Sequence, residues 1–218
     1  MLNINPIVKM KYVLNVKVAL LLFAFVAVVG CDDDDEKETV TLEATTTSDL
    51  DAVSTSKYTL FSFKNNAVVA NSDSATANWD IAFRGTTIIL NSGVSGPGTA
   101  AGQTVSGIFD ELAEAPASGY ASDSESAKAI VGSGGWYTYT GTTATPNHAI
   151  LPIAGKILVI KTADNKYVKL EIISYYKGNP DTTTATFADL ATRPASRYYT
   201  FRFIYQPDGT TNFATTQK

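Results

Sequence analysis

Lys156-Ile-Leu-Val-Ile-Lys-Thr162, Ala163-Asp164-Asn165 and Lys166-Tyr-Val-Lys-Leu-Glu-Ile-Ile-Ser-Tyr-Tyr176 run on from one another, and their reading decides the fold. The first segment is rich in β-branched residues, the third is rich in β-formers, and the Asp-Asn pair between them tolerates the positive φ of a tight turn. Together they predict a long β-hairpin. In its second arm Lys166, Lys169 and Glu171 mark a wetter face, and a slip of phase near Val168 predicts a bulge there. Lys161, Lys169 and Lys177 read as the solvated face of a sheet.

The same grammar recurs on both sides. Tyr58-Thr-Leu-Phe-Ser-Phe63, Lys64-Asn65-Asn66 and Ala67-Val-Val-Ala70 predict a second hairpin. Trp79-Asp-Ile-Ala-Phe83, Arg84-Gly85 and Thr86-Thr-Ile-Ile-Leu90 predict a third. Tyr198 to Tyr205 is a strand with Phe201, Phe203 and Tyr205 on one face, followed by the turn Gln206-Pro207-Asp208-Gly209 and a short return to Phe213. Three stretches read otherwise. Asn91 to Gly102 is a Gly-rich loop without the following helix or the Lys that a phosphate cradle needs. Ser122 to Val131 predicts two or three helical turns behind a Ser cap. Asn179 to Ser196 is a polar insertion. The expected class is all-β, a single antiparallel, hairpin-rich domain over residues 39–218 with one short helix.

The N-terminal segment, residues 1–30, contains no acid and carries Lys9, Lys11 and Lys17 ahead of the apolar run Val18 to Val29. That run is short for a membrane span and has the anatomy of a secretory leader. It ends in Val28-Val29-Gly30-Cys31, which resembles a bacterial lipobox, so Cys31 is the expected lipidation site and the membrane an expected partner through that lipid. Asp32-Asp33-Asp34-Asp35-Glu36-Lys37-Glu38 completes a lipidated, acidic tether over residues 31–38, too charged to order itself. The run is a spacer at minimum. It also resembles the signal that sends lipoproteins of the Bacteroidetes to the outer face of the outer membrane.

Composition excludes several chemistries. The 218 residues hold 17 Lys and Arg against 21 Asp and Glu. Without the leader the balance is 14 against 21, a charge of −7, and no nucleic-acid footprint is expected. One Cys and one His rule out a multi-thiolate zinc site and a two-His site within one chain. Both Met residues, Met1 and Met10, leave with the leader. No Ser-His-acid spacing stands out, and Asp110 with Glu111 falls in a loop, so no enzyme is expected.

Trp79-Asp-Ile-Ala, Asn91-Ser-Gly, Gly134-Gly135-Trp136-Tyr137, Thr162-Ala-Asp-Asn-Lys-Tyr-Val-Lys-Leu, Ser174-Tyr-Tyr and Tyr199-Thr-Phe-Arg-Phe, in that order, resemble the HmuY family. The resemblance implies an all-β outer-membrane or secreted lipoprotein of the haemophore type, which takes haem from a host haem protein and passes it to a TonB-dependent receptor. It also implies two axial side chains on the haem iron, paired His in some members and Met in others. This chain departs from both patterns, because only His148 remains. Iron held by His148 alone, by His148 with a tyrosinate, or by the His148 of two chains are the haem readings left open. A scaffold that has lost haem and recognises a glycan or a partner protein is the other. His148 lies in Thr145-Pro146-Asn147-His148, a loop suited to mounting a ligand. Trp136, Tyr137 and Tyr139 are the candidate aromatic wall for the porphyrin. Packing at a strand entry remains open for His148, and core or rim for the three aromatics.

Overall fold

The structure is a computed structural model, and it describes residues 38–217. The leader, Cys31 and the tether up to Lys37 lie outside the described residues. The described residues make one compact unit. Its strands are β1 (Thr39–Thr41), β2 (Thr45–Asp51), β3 (Thr59–Ser62), β4 (Ala67–Val69), β5 (Ile81–Arg84), β6 (Thr87–Leu90), β7 (Ala101–Ser106), β8 (Tyr137–Tyr139), β9 (Ile150–Pro152), β10 (Lys156–Lys161), β11 (Tyr167–Tyr176), β12 (Ser196–Gln206) and β13 (Thr215–Gln217). A single α-helical turn, α1 (Ala185–Ala188), is capped by Thr184, whose side chain accepts from the Phe187 N–H.

Two antiparallel sheets face each other. One has the order β2-β12-β11-β10-β7, the other β4-β3-β5-β6. All three hairpins form as their sequences predict, with Asn66 and Asn165 at positive φ in two of the turns and Gly85 in the third. The sheets meet over an aromatic seam. Phe201 stands 5.4 Å from Phe61 and 5.6 Å from Phe83, and Phe63 stands 5.1 Å from Phe203. Such ring pairs add to the burial of their apolar area.

The larger sheet is covered on its other face too. Phe109, Ala115, Ile157, Val159, Ile204 and Phe213 form a second buried cluster there. Hence the unbroken run Ile157 to Ile160, whose four side chains are all within 1 % of full burial. It also overturns the reading of Lys169 as a solvated residue. Lys169 pairs with Val159 on one side and Ile204 on the other, and is 2 % exposed. Its ammonium donates to the carbonyls of Phe109 and Leu112 at 2.6 and 2.9 Å and lies 4.6 Å from the Phe109 ring centroid. Burial lowers its pKa, partly offset by Asp110. The pairing of β10 with β11 runs without a shift through Val168, so the apparent slip of phase reflects two buried faces, not a bulge.

The bulge lies further on, where β11 shifts against β12 around Ser174. The Ser174 hydroxyl accepts from the Tyr176 N–H at 3.0 Å, a local bond that competes with the ladder. Tyr175 and Tyr176 are consequently buried together. Residues 122–131 contain no helix. Asp123, 3 % exposed, accepts from the N–H groups of Leu90 and Ala129, which closes this segment into an irregular loop and ties it to the end of β6. The helix lies instead in the polar insertion. The Gly-rich loop wraps the side chain of Asn91, which is fully buried and bonds Thr76, Trp79 and Gly98. A Cβ on Gly98 would come within 2.6 Å of the Asn91 carbonyl, so this glycine serves a close packing.

Asp80, 7 % exposed, accepts from the Phe63 N–H at 2.9 Å and joins β5 to the end of β3. Burial pushes its carboxyl from 3.8 up to about 6, against the opposing bond from Phe63 and helped by nearby Asp164. Between those values the folded protein holds a proton that the unfolded chain has released, so this group lowers stability as pH rises through about 6. The urea midpoint of the wild type relative to Asp80→Asn should therefore rise as pH falls from about 7.5 to about 5. A constant difference across that range would show that Asp80 titrates alike in both states.

Candidate functional site

β8 and β9 form a two-stranded hairpin of their own, with Tyr137 opposite Pro152 and Tyr139 opposite Ile150. Its loop is closed from within. The His148 N–H donates to the Gly141 carbonyl at 2.6 Å, and the Ala149 N–H donates to the Thr140 hydroxyl at 2.9 Å. His148 takes a left-handed backbone with φ 52°. That conformation is uncommon outside glycine, although His is among the residues found there more often. The ring Nδ1 of His148 lies 2.6 Å from the Tyr139 Oη, and both side chains are exposed.

The hairpin is supported from beneath. The N–H of Ile150 donates to the Tyr176 hydroxyl at 3.0 Å. Tyr176 packs edge-on against Phe187 of α1 at 4.7 Å. Arg193 joins the same support to the loop: Nε donates to the Phe187 carbonyl at 2.7 Å and Nη1 to the His148 carbonyl at 3.3 Å. The bulge at Ser174 thus has a use, because it turns Tyr176 to where it meets both the hairpin and α1. Arg193 could not be found from sequence. It sits in the polar insertion, 45 residues from His148, and only the topology brings the two together.

The aromatic wall is not assembled as the sequence suggests. Trp136 is 2 % exposed, its indole N–H donates to the Thr86 carbonyl at 3.3 Å, and its ring contacts Tyr137, Tyr175 and Tyr199. It is a core residue. Tyr137 is half-buried beside it and lines a cleft of about 410 Å³ with Thr86, Ile88 and Val131. Only Tyr139 accompanies His148. The correction has a simple cause: in β8 alternate side chains point to opposite sides, and Trp136 precedes the strand on the inward side.

The geometry narrows what the histidine can do. If Nδ1–H donates to the Tyr139 oxygen, the Nε2 lone pair is left for a ligand, and the tyrosine fixes the ring as outer partners of metal-bound His commonly do. Burial raises the Tyr175 hydroxyl to about 12 and the Tyr199 hydroxyl well above its usual range, so neither supplies a tyrosinate near neutral pH. Among the basic residues of the sheets, Arg202 binds Glu171 at 2.9 Å and Asp110 at 3.3 Å, and Lys156 binds Ser106. Arg84 lies over the Tyr58 ring. These three do not converge on His148. Among the described residues no three His, Cys, Asp or Glu gather as a metal site.

The family model described as HmuY protein matches residues 54–188. No curated protein matches the chain. Among solved structures, the apo HmuY analogue of Tannerella forsythia superposes with a TM-score of 0.51 at 14% identity, covering 80% of this chain and 100% of that one. A Bacteroides vulgatus protein described as HmuY-like and heme binding gives 0.43 at 14% identity, covering 74% and 91%. A Bacteroides fragilis protein described as a lipoprotein gives 0.48 at 13% identity, covering 79% and 96%.

Proposed function

The chain belongs to the HmuY family, and from that premise we propose that it is a surface-anchored lipoprotein of the haemophore type that binds haem through His148. The observation that carries this reading is the exposed His148–Tyr139 pair at 2.6 Å on a loop that Arg193 and Tyr176 hold in place. Nε2 of His148 is the iron ligand, and Tyr139 orients the ring and strengthens it as a donor. The protein performs no reaction on its ligand. It takes haem from a host haem protein and hands it to a TonB-dependent receptor, while Cys31 carries the lipid that keeps it at the outer face of the outer membrane. One protein ligand makes a weaker hold than two, which suits a carrier that must release its cargo.

Hemin titration of the compact unit Lys37–Lys218, read by visible absorption in both oxidation states, tests the reading. A saturable Soret shift is expected, lost in His148→Ala and displaced in Tyr139→Phe. Absence of a saturable shift, or an identical spectrum in His148→Ala, would replace haem by a glycan or partner protein as the ligand of this scaffold.

A further inference from the structure

Arg193 carries more than the support of the β8–β9 loop requires. Its Nε donates to the Phe187 carbonyl at 2.7 Å, and Nη1 and Nη2 donate to the carbonyls of His148 and Ala188, each at 3.3 Å. One N–H on each terminal nitrogen is left over. The guanidinium carbon also lies 4.9 Å from the Phe187 ring centroid, so the ring and the three carbonyls hold the group in place. All of these partners are uncharged. The ion pairs among the described residues are those of Arg202 with Asp110 and Glu171, and half-buried Arg193 makes none.

A guanidinium that is held by neutral groups, keeps its full charge and has donors to spare is preorganised for a carboxylate from outside the chain. Its place decides which carboxylate. Arg193 is bonded to the main chain of His148, so a ligand seated on the His148 ring has this charge beside it. Haem brings such carboxylates on its propionate arms. We infer, resting on the reading of His148 as the iron ligand, that Arg193 receives a propionate and is the specificity-determining contact of the site. The ligand class is then a metalloporphyrin with a free acid edge, and an uncharged porphyrin is discriminated against. A single axial bond leaves the porphyrin free to turn about the iron–nitrogen axis. A charge-assisted contact at its edge stops that rotation and turns one point of attachment into two.

The compact unit Lys37–Lys218 is titrated with hemin and with hemin dimethyl ester in the same dilute detergent, as wild type, Arg193→Gln and Arg193→Lys, and affinity is read from the Soret shift. The wild type should bind hemin about tenfold more tightly than the diester. Arg193→Gln should lose that preference and bind both porphyrins as the wild type binds the diester, with the Soret position of bound hemin unchanged because His148 keeps the iron. Arg193→Lys, which retains the charge without the planar fork, should keep part of the preference. An arginine that only braces the loop gives a different result: its loss weakens both porphyrins by one factor and leaves their ratio at the wild-type value. That unchanged ratio, or equal affinity of the wild type for hemin and diester, overturns the role of Arg193 while a saturable, His148-dependent shift still stands. The wild-type comparison needs no substitution, so it decides even where a variant fails to fold. No saturable shift of the wild type with either porphyrin overturns the haem reading and the role of Arg193 together.

Discussion

Replacing Lys169 by methionine is expected to lower the unfolding free energy by about 3 kcal/mol, since the carbonyls of Phe109 and Leu112 both lose their donor inside the protein. Methionine fills similar space, so the effect is polar and not a cavity. Replacing a buried charge by an apolar group costs little where its partners are replaced as well, but here two backbone oxygens stay behind. At about 2–4 °C per kcal/mol for a domain of this size, the melting temperature should fall by about 10 °C. The loss should be local in origin. The 3₁₀ turn Phe109–Glu111 is fastened to the sheet by this ammonium, so amide exchange there should accelerate before the central strands are affected. Lys177→Met provides the contrast, because Lys177 is exposed and lies 5.2 Å from the Tyr198 ring centroid. That change should stay within about 0.5 kcal/mol. Equal melting of the two variants would remove Lys169 from the core.

The hairpins were legible because each is a local device. An apolar run, a turn residue that accepts positive φ and a second run lie within about 20 residues, and the register follows from the turn. What was not legible depends on partners distant in sequence. Lys169 reads as a surface residue because nothing nearby reveals that residues 109–115 and Phe213 cover its face of the sheet. β7 was hidden for the opposite reason: Ala101 to Ser106 is an edge strand of small and polar residues, and only its pairing with β10 makes it a strand. Residues 122–131 carry a fair helix signal, but the buried carboxylate of Asp123 bonds two backbone N–H groups and outweighs local propensity.

The candidate site divides in the same way. His148 was found because it is the chain's one histidine and lies in a loop, and Tyr139 because it is one of three aromatics nearby. Sequence spacing could not say which of the three would meet it. Nine residues separate Tyr139 from His148, and the β8–β9 pairing brings their rings to within 6.2 Å of each other. Arg193 and Tyr176 reach the loop through α1 and the Ser174 bulge, two irregular features that strand alternation does not encode.

Trp136→Ala separates the two kinds of aromatic residue most sharply. Its side chain is 2 % exposed and touches the rings of Tyr137, Tyr175 and Tyr199 at 4.6 to 5.8 Å, so truncation should cost about 3–5 kcal/mol in lost burial and in the cavity left behind. The Thr86 carbonyl also loses the indole N–H. Unfolding should therefore move to much lower urea, with the midpoint reporting the change by circular dichroism and by tyrosine fluorescence alike. Hemin titration under conditions where the variant is still folded supplies the second measurement. A core role predicts a large loss of stability with a wild-type haem spectrum, because Trp136 lies beneath β8 and does not face the His148 loop. A porphyrin-wall role predicts the reverse, a near-normal midpoint and a weakened Soret shift. His148→Ala, an exposed loop residue, should show that reverse pattern. The crossed outcome of the two variants, one losing stability and the other losing the spectrum, is what separates the residues that build this scaffold from those that meet its ligand.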